Sequence, residues 1–307
     1  MLVHFGLDNL AVEWESSWVC IGTFDGVHLG HQQLIHQTVR EARDVECASV
    51  VLTFDRHPLS ILNPENAPPA IGTLEQNVIL LREQGVSACV ILPFDEKLVH
   101  VTADHFLKEI MMGMLKAKGV VVGHDFAFGH KRQGTGAWLA SQISTHVVEP
   151  FLIDGARVSS TVIRNAISEG NVSSARKYLG RPFRLAGVVV PGKKVGRTIG
   201  YPTANLARSS KTCVPANGIY AGRCKTKFGW FAAAISVGSN PTVGGIKRTV
   251  EAYLLDYPGE SLYSDPIEIE FLERIRGEEK FDSVEKLVEK IDDDVSKIRM
   301  ISNDFSN

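Results

Sequence analysis

Two stretches of different texture predict an α/β domain on a parallel sheet, followed by a small antiparallel β-barrel with a terminal helix. From residue 18 to about 149, short apolar runs alternate with segments of helical period, the pattern of strands joined by covering helices. Beyond residue 183, β-rich runs follow one another across glycine and proline turns with no regular helix between them. The break at Arg181-Pro182-Phe183 places the domains at 1–183 and 184–307, each long enough for its own core.

In the first domain, strands are expected over 18–24, 48–54, 88–93, 119–123 and 146–149, and helices over 29–44, 74–84, 103–116 and 136–144. In the first of these helices Leu34, Ile35, Thr38, Val39 and Ala42 recur at steps of three and four, so one face can lie on the sheet. A short helix over 171–179, closed by Gly180, leads to the second domain. Its strands are expected over 185–190, 230–237, 249–256 and 267–272. Leu287, Val288, Ile291, Val295 and Ile298 then form the apolar stripe of a last helix over 284–300.

The composition, 44% hydrophobic and 22% charged, reads as globular, and the net charge of -2 offers no global attraction to nucleic acid or anionic membrane. Any phosphate binding must be local. Cys20, Cys47, Cys89, Cys213 and Cys224 are scattered, odd in number and free of C-x-x-C pairs, which predicts reduced thiols and a cytoplasmic protein. No apolar run approaches membrane-spanning length. The charge neither predicts nor excludes a homo-oligomer.

The segment GTFDGVHLGH, residues 22–31, lies between a strand and a helix. Gly22, Gly26 and Gly30 permit a tight turn with close backbone approach, and His28 and His31 would share one face of the helix's first turn. Helix N-terminal amides with two imidazoles beside them would suit a phosphate, and an isolated H-x-G-H reads equally as a glycine-rich turn carrying two surface histidines. Further along, FDRHP (54–58) and GHDFAFGHKRQGTG (123–136) follow strand ends, the side on which open α/β sheets bind ligands, although the second stretch alone reads more readily as a mobile surface loop. In VSSTVIRNAI (158–167), Ser160 and Thr161 suit a helix N-cap, and Arg164 lies one turn in, able to meet phosphates there. In the second domain GKKVGRTIGYPTANL (192–206) has Gly192, Gly196 and Gly200 for close amide approach. Thr203 and Asn205 would point the same way in extended chain. Without G-K-[ST] this is no Walker loop, and alone it reads as a basic glycine-rich hairpin. Glu251, alternating with Thr249 and Tyr253, reads alone as the wet face of a strand, and Arg276 as a surface charge.

These motifs, in this order over residues 18–291, resemble the bacterial bifunctional riboflavin kinase/FMN adenylyltransferase family. The resemblance implies a Rossmann-like nucleotidylyltransferase domain and a riboflavin kinase barrel. It implies phosphorylation of riboflavin by ATP to FMN, then adenylylation of FMN to FAD with release of pyrophosphate, with Mg2+ as the metal. His28 and His31 of H-x-G-H would act in adenylyl transfer, with Gly22, Phe24, Gly30, Ser160, Thr161 and Arg164 at the nucleotide. Asp125, Phe126 and Phe128 would contact flavin, as would Arg276 of R-x-E-x-K-F. Gly192, Gly196 and Gly200 would hold phosphates, Thr203 and Asn205 of P-T-A-N the metal, and Glu251 would be the catalytic base. The sequence departs from the family at Arg56, where a proline is more usual, at Ala127 and Val162, where arginine is common, and at Pro191 and Val195, in place of histidine and arginine. One silent half, a flavin sensor without turnover, and a transferase acting on another phosphorylated acceptor are the alternatives.

Overall fold

Six short strands rich in valine, isoleucine and alanine build the sheet of the first unit. The computed structural model describes residues 1–8, 10, 12–192, 195–209, 211–242 and 245–304. They divide into two compact units, Met1–Ser160 and Thr161–Asn307. In the first, strands β1 (Leu2–Phe5), β2 (Ser17–Ile21), β3 (Ala48–Phe54), β4 (Ala88–Leu92), β5 (Ala117–Gly123) and β6 (Ser144–Val148) pair in parallel in the order β1-β4-β3-β2-β5-β6. The central strands are buried on both faces, as parallel sheets require.

Alternation along these strands divides the core in two. Cys20, Val51, Cys89, Ile91 and Val121 meet Ile35 and Ala42 of helix α1 (Leu29–Asp44) and Leu80 and Leu81 of α2 (Leu74–Glu83). Val19, Ile21, Leu52, Val90 and Val120 meet Phe106, Leu107, Ile110 and Met111 on the opposite face. Helix α2 starts in a capping box, with Thr73 and Gln76 each bonding the other's backbone.

Helix α1 has the bounds the apolar spacing predicts, whereas the helix expected over 103–116 does not stay α. After Ala103–His105 (α3) the chain winds as a π-helix over Phe106–Met114, where Leu115 N–H reaches Ile110 C=O at 2.9 Å. Strand β1, which the sequence did not suggest, is an edge strand with a mostly exposed LVHF. Helix α4 (Gly136–Ala140) is shorter than expected because Ser144 already belongs to β6.

Helix α5 (Ser160–Ser168), which belongs to the second unit from Thr161 onward, is followed by α6 (Val172–Leu179). Asn171 caps α6 by accepting from Ser174 N–H at 3.0 Å, and Gly180 ends it in a left-handed conformation. Six antiparallel strands then close a barrel: β7 (Phe183–Val190), β8 (Ala204–Ala207), β9 (Gly218–Thr226), β10 (Gly229–Thr242), β11 (Gly245–Leu254) and β12 (Pro266–Arg276), in the order β7-β8-β11-β10-β9-β12. The period of two turns Tyr220, Ile235, Ala252, Ile269 and Phe271 inward. It turns Ile219, Ala221, Ala232, Ala234 and Tyr253 outward, where Val295, Ile298 and Ile301 of the terminal helix α7 (Val284–Asp304) cover them. Strands β8 and β9 had no sequence expectation.

On another stretch of the barrel's outer face Glu270 is fully buried. Arg184 Nη2 reaches its Oε1 at 2.7 Å and Arg223 Nη2 its Oε2 at 2.6 Å, with both guanidiniums over the Trp230 ring. Each carboxylate oxygen thus has a charged donor, which a buried anion needs.

Candidate active sites

The sheet order reverses at β2. Strands β3 and β4 lie to one side of it and β5 and β6 to the other, so the crevice at the C-terminal ends of β2 and β5 is a topological switch point. The loops leaving those two ends are residues 22–28 and 124–135, both picked out by the sequence.

The first loop is held in a shape few residues adopt. Phe24, Gly26 and Val27 all have positive φ, at 45°, 76° and 36°. A Cβ on Gly26 would stand 2.7 Å from Ile71 Cγ2, so glycine is required there for space as well as conformation. Asp25, 8% exposed, anchors the loop by accepting from Ile71 N–H at 2.9 Å, and Asn77 Oδ1 accepts from Gly26 N–H at 3.0 Å. Ser160 Oγ donates to Asp25 C=O at 3.4 Å.

The histidines differ from expectation in one respect. His28 is not on the first turn of α1 but is its N-cap, and its Nδ1 accepts from His31 N–H at 3.2 Å. That bond assigns the Nδ1 lone pair to the helix and, in the neutral ring, the proton to Nε2. The His28 and His31 rings stack at 3.5 Å, and Phe24 meets His31 edge-on at 5.3 Å. Gly30 lets the His28 ring lie close, because a Cβ there would stand 3.3 Å from it.

In the other loops several predicted residues engage one another. Asp125 accepts from Arg157 Nη2 at 2.7 Å; partial burial pushes its carboxyl up, but the Arg157 hydrogen bond and charge outweigh this and hold it below the ordinary value. Phe126 and Phe128 stack at 5.5 Å, and Phe128 also meets Phe106 and Trp138, so these rings form the roof of the core beneath the loop. Arg56 folds back on Asp55 at 2.7 Å, while Asp55 accepts from Phe94 N–H at 2.9 Å. Thr161 and Arg164 lie on α5, which falls with the second unit from Thr161 onward.

In the barrel, Lys193 and Lys194 of GKKVGR lie outside the described residues. Val195–Thr198 form one helical turn, and Gly196 C=O accepts from Tyr201 N–H at 2.8 Å to close it. The chain then enters β8, where Asn205 pairs with Glu251 of β11. Thr203, just before the strand, donates its hydroxyl to Glu251 Oε2 at 2.8 Å. A Cβ on Gly192 would overlap the Asn205 side chain, so that glycine makes room for the amide. Because the Thr203 proton is committed to Glu251, the lone pairs of Oγ1 remain for a cation, with the Asn205 amide beside them. Hydroxyl, amide and carboxylate are the hard oxygen donors that suit a divalent metal shared with phosphates.

Tyr201 and Arg276 tie this region to α7. The Tyr201 hydroxyl donates to Asp292 Oδ1, which pushes its pKa up to about 12, and its ring meets Tyr253 edge-on at 5.2 Å. Arg276 Nε donates to Asp294 Oδ2 at 2.8 Å. Sequence reasoning missed Tyr201, Asp292 and Asp294. The tyrosine stood inside the quoted motif, but the two acids sit in an unbroken Asp292-Asp293-Asp294 run that looks like a solvated helix face.

Residues 11–162 match the family model described as FAD synthetase, and residues 179–302 the one described as riboflavin kinase. The chain is 34% identical over 304 residues to a bifunctional riboflavin kinase/FMN adenylyltransferase of Haemophilus influenzae, covering 97% of this chain and 98% of that one. To the Escherichia coli K12 protein of the same name it is 32% identical over 296 residues, 93% of each. A crystal structure described as a macrolide-efflux protein from Streptococcus pneumoniae matches with a TM-score of 0.90 at 32% identity, over 97% of this chain and 99% of that one. Among the described residues no helix is long and apolar enough to cross a membrane. With both models matched in order and relatives aligned over nearly their whole length, the chain belongs to the bifunctional riboflavin kinase/FMN adenylyltransferase family.

Proposed function

We propose that the chain phosphorylates riboflavin to FMN in residues 184–307 and adenylylates FMN to FAD in residues 1–183, with ATP as donor in both steps. The observation that carries the reading is the contrast between two sites. One is built around a carboxylate, with Glu251 bonded to Thr203 opposite Asn205. The other has no carboxylate among its proposed catalytic groups but two stacked imidazoles at the head of α1.

The two reactions require that contrast. In the kinase step the nucleophile is a neutral ribityl hydroxyl, and Glu251 takes its proton as the γ-phosphoryl group moves. Thr203 and Asn205 hold Mg2+, which supplies neutralisation of the phosphate charge. Gly192, Gly196 and Gly200 bring the backbone close to the nucleotide. In the transfer step the nucleophile is an FMN phosphate oxygen, already anionic, so no base is needed. Alignment and charge stabilisation at the α-phosphate and departing pyrophosphate suffice. His28 offers Nε2–H for this because Nδ1 is committed to His31 N–H. His31 and Ser160 complete the anion contacts, Gly22, Phe24 and Gly30 shape the loop, and Asp125, Phe126 and Phe128 border the flavin. Arg276 contacts the flavin of the kinase step. The five scattered cysteines, odd in number and without a C-x-x-C pair, support a cytoplasmic location.

The test is chromatographic: purified protein with riboflavin, ATP and Mg2+, sampled over time. Transient FMN followed by FAD is expected. FMN alone would remove adenylyl transfer from the reading; bound flavin with neither product would make the chain a flavin-binding protein.

A further inference from the structure

Asp294 is a buried acid that the proposed reactions leave without a role. Its side chain is 4% exposed on α7, and its Oδ2 accepts from Arg276 Nε at 2.8 Å. Its Oδ1 is also buried, and among the described residues nothing donates to it. A buried carboxylate with one oxygen unserved is costly, and an apolar side chain facing the barrel at that point would cost less. The acid is therefore better explained by what it does to Arg276 than by stability.

Arg276 is itself nearly enclosed, with its side chain 13% exposed. Nε is held by Asp294, Nη1 donates to Gly277 C=O at 3.1 Å and lies 3.9 Å from Glu279, and the guanidinium stands 5.8 Å from the Phe281 ring centre. A planar guanidinium held at both Nε and Nη1 presents its remaining N–H donors at the Nη2 edge. The isoalloxazine ring carries two carbonyl acceptors on its pyrimidine rim, which such an edge can serve with directed hydrogen bonds.

We propose that Asp294 is a positioning residue for flavin recognition: it fixes the Arg276 guanidinium so that the Nη2 edge meets the carbonyl rim of riboflavin. The proposal rests on the reading of Arg276 as a flavin contact. Asp294 does not touch substrate. It acts by removing the rotamer freedom that arginine would otherwise lose on binding.

The experiment compares Asp294→Asn, Asp294→Glu and Arg276→Lys in the full chain. Riboflavin affinity is read by fluorescence quenching without nucleotide, and KM for riboflavin and for ATP from FMN formation. Asp294→Asn should raise the riboflavin Kd and KM about tenfold, the size expected for losing one charged hydrogen bond, with the ATP KM unchanged. Asp294→Glu, which keeps the charge but moves the carboxylate, should show a smaller rise of the same selective kind, and it carries the test if the asparagine variant does not fold. Parallel rises for riboflavin and ATP that track the loss of thermal stability would make Asp294 structural and overturn the proposal. If Arg276→Lys weakens riboflavin binding while the Asp294 variants do not, positioning alone fails. If Arg276→Lys binds riboflavin as the parent does, the flavin reading of Arg276 fails and the proposal falls with it.

Discussion

Thr203 donates its hydroxyl to Glu251 Oε2 at 2.8 Å, across the strand pair in which Asn205 stands opposite Glu251. The bond ties the proposed base to the proposed metal ligand, so changing either disturbs both. Glu251→Gln keeps the shape and removes the basicity, and FMN formation should fall by about 10²–10⁴-fold, the range for losing a positioned base. Adenylylation of supplied FMN, measured on the same preparation, should persist. Thr203→Val, which removes only the hydroxyl, should show the same selective loss.

His28 has two functions that substitution can separate. As N-cap it serves His31 N–H, and as a ring it is proposed to contact phosphate. His28→Ala should lose both, with a cap cost of about 1 kcal/mol. Asparagine is a good N-cap without an imidazole, so His28→Asn should recover thermal stability while FAD formation from FMN stays low. Recovery of both would make the histidine a cap alone.

Glu270 tests the barrel's stability. It is fully buried between Arg184 and Arg223, and Glu270→Ala removes the anion they share, although Arg184 keeps Glu268 at 3.4 Å. Removing one partner of a buried ion pair costs about 3–5 kcal/mol. The urea midpoint for loss of kinase activity should fall by about 1 M or more.

Tyr201 carries a pH prediction. Its hydroxyl donates to Asp292 and its pKa is pushed up to about 12, so the folded state favours the protonated phenol. A raised pKa means that the contribution to stability is complete below the unfolded value near 10 and is lost as pH rises through about 12. In a spectrophotometric titration Asp292→Asn should move one tyrosine ionisation down towards 10.

Much of the architecture was legible because it rests on periodicity. Helix α1 follows from Leu34, Ile35, Thr38, Val39 and Ala42, and the central strands from runs of valine and isoleucine. What was not legible depends on partners far along the chain. Strand β1 is an exposed edge whose only signal is its pairing with β4, and β8 is four residues long, set by its partners β7 and β11. The turn from α to π winding at Phe106 leaves the apolar spacing of that stretch nearly unchanged. At the sites, the motif glycines and histidines stood out by type and spacing. The role of His28 as a cap did not, because histidine is not a usual N-cap. Asp292 and Asp294 are equivalent neighbours in sequence, yet one meets a tyrosine and the other is buried under α7 against an arginine.

The central claim is that one chain holds two separable sites, and mixing tests it most directly. His31→Ala should make FMN but no FAD, and Glu251→Gln should make FAD only from supplied FMN. Neither should convert riboflavin to FAD alone. Combined in one vessel with riboflavin, ATP and Mg2+, the two variants should produce FAD, with FMN made by one protein and used by the other. A mixture that yields no FAD, while each variant keeps its own half-reaction, would contradict exchange of FMN between independent sites; loss of both half-reactions in either folded variant would contradict the two sites themselves.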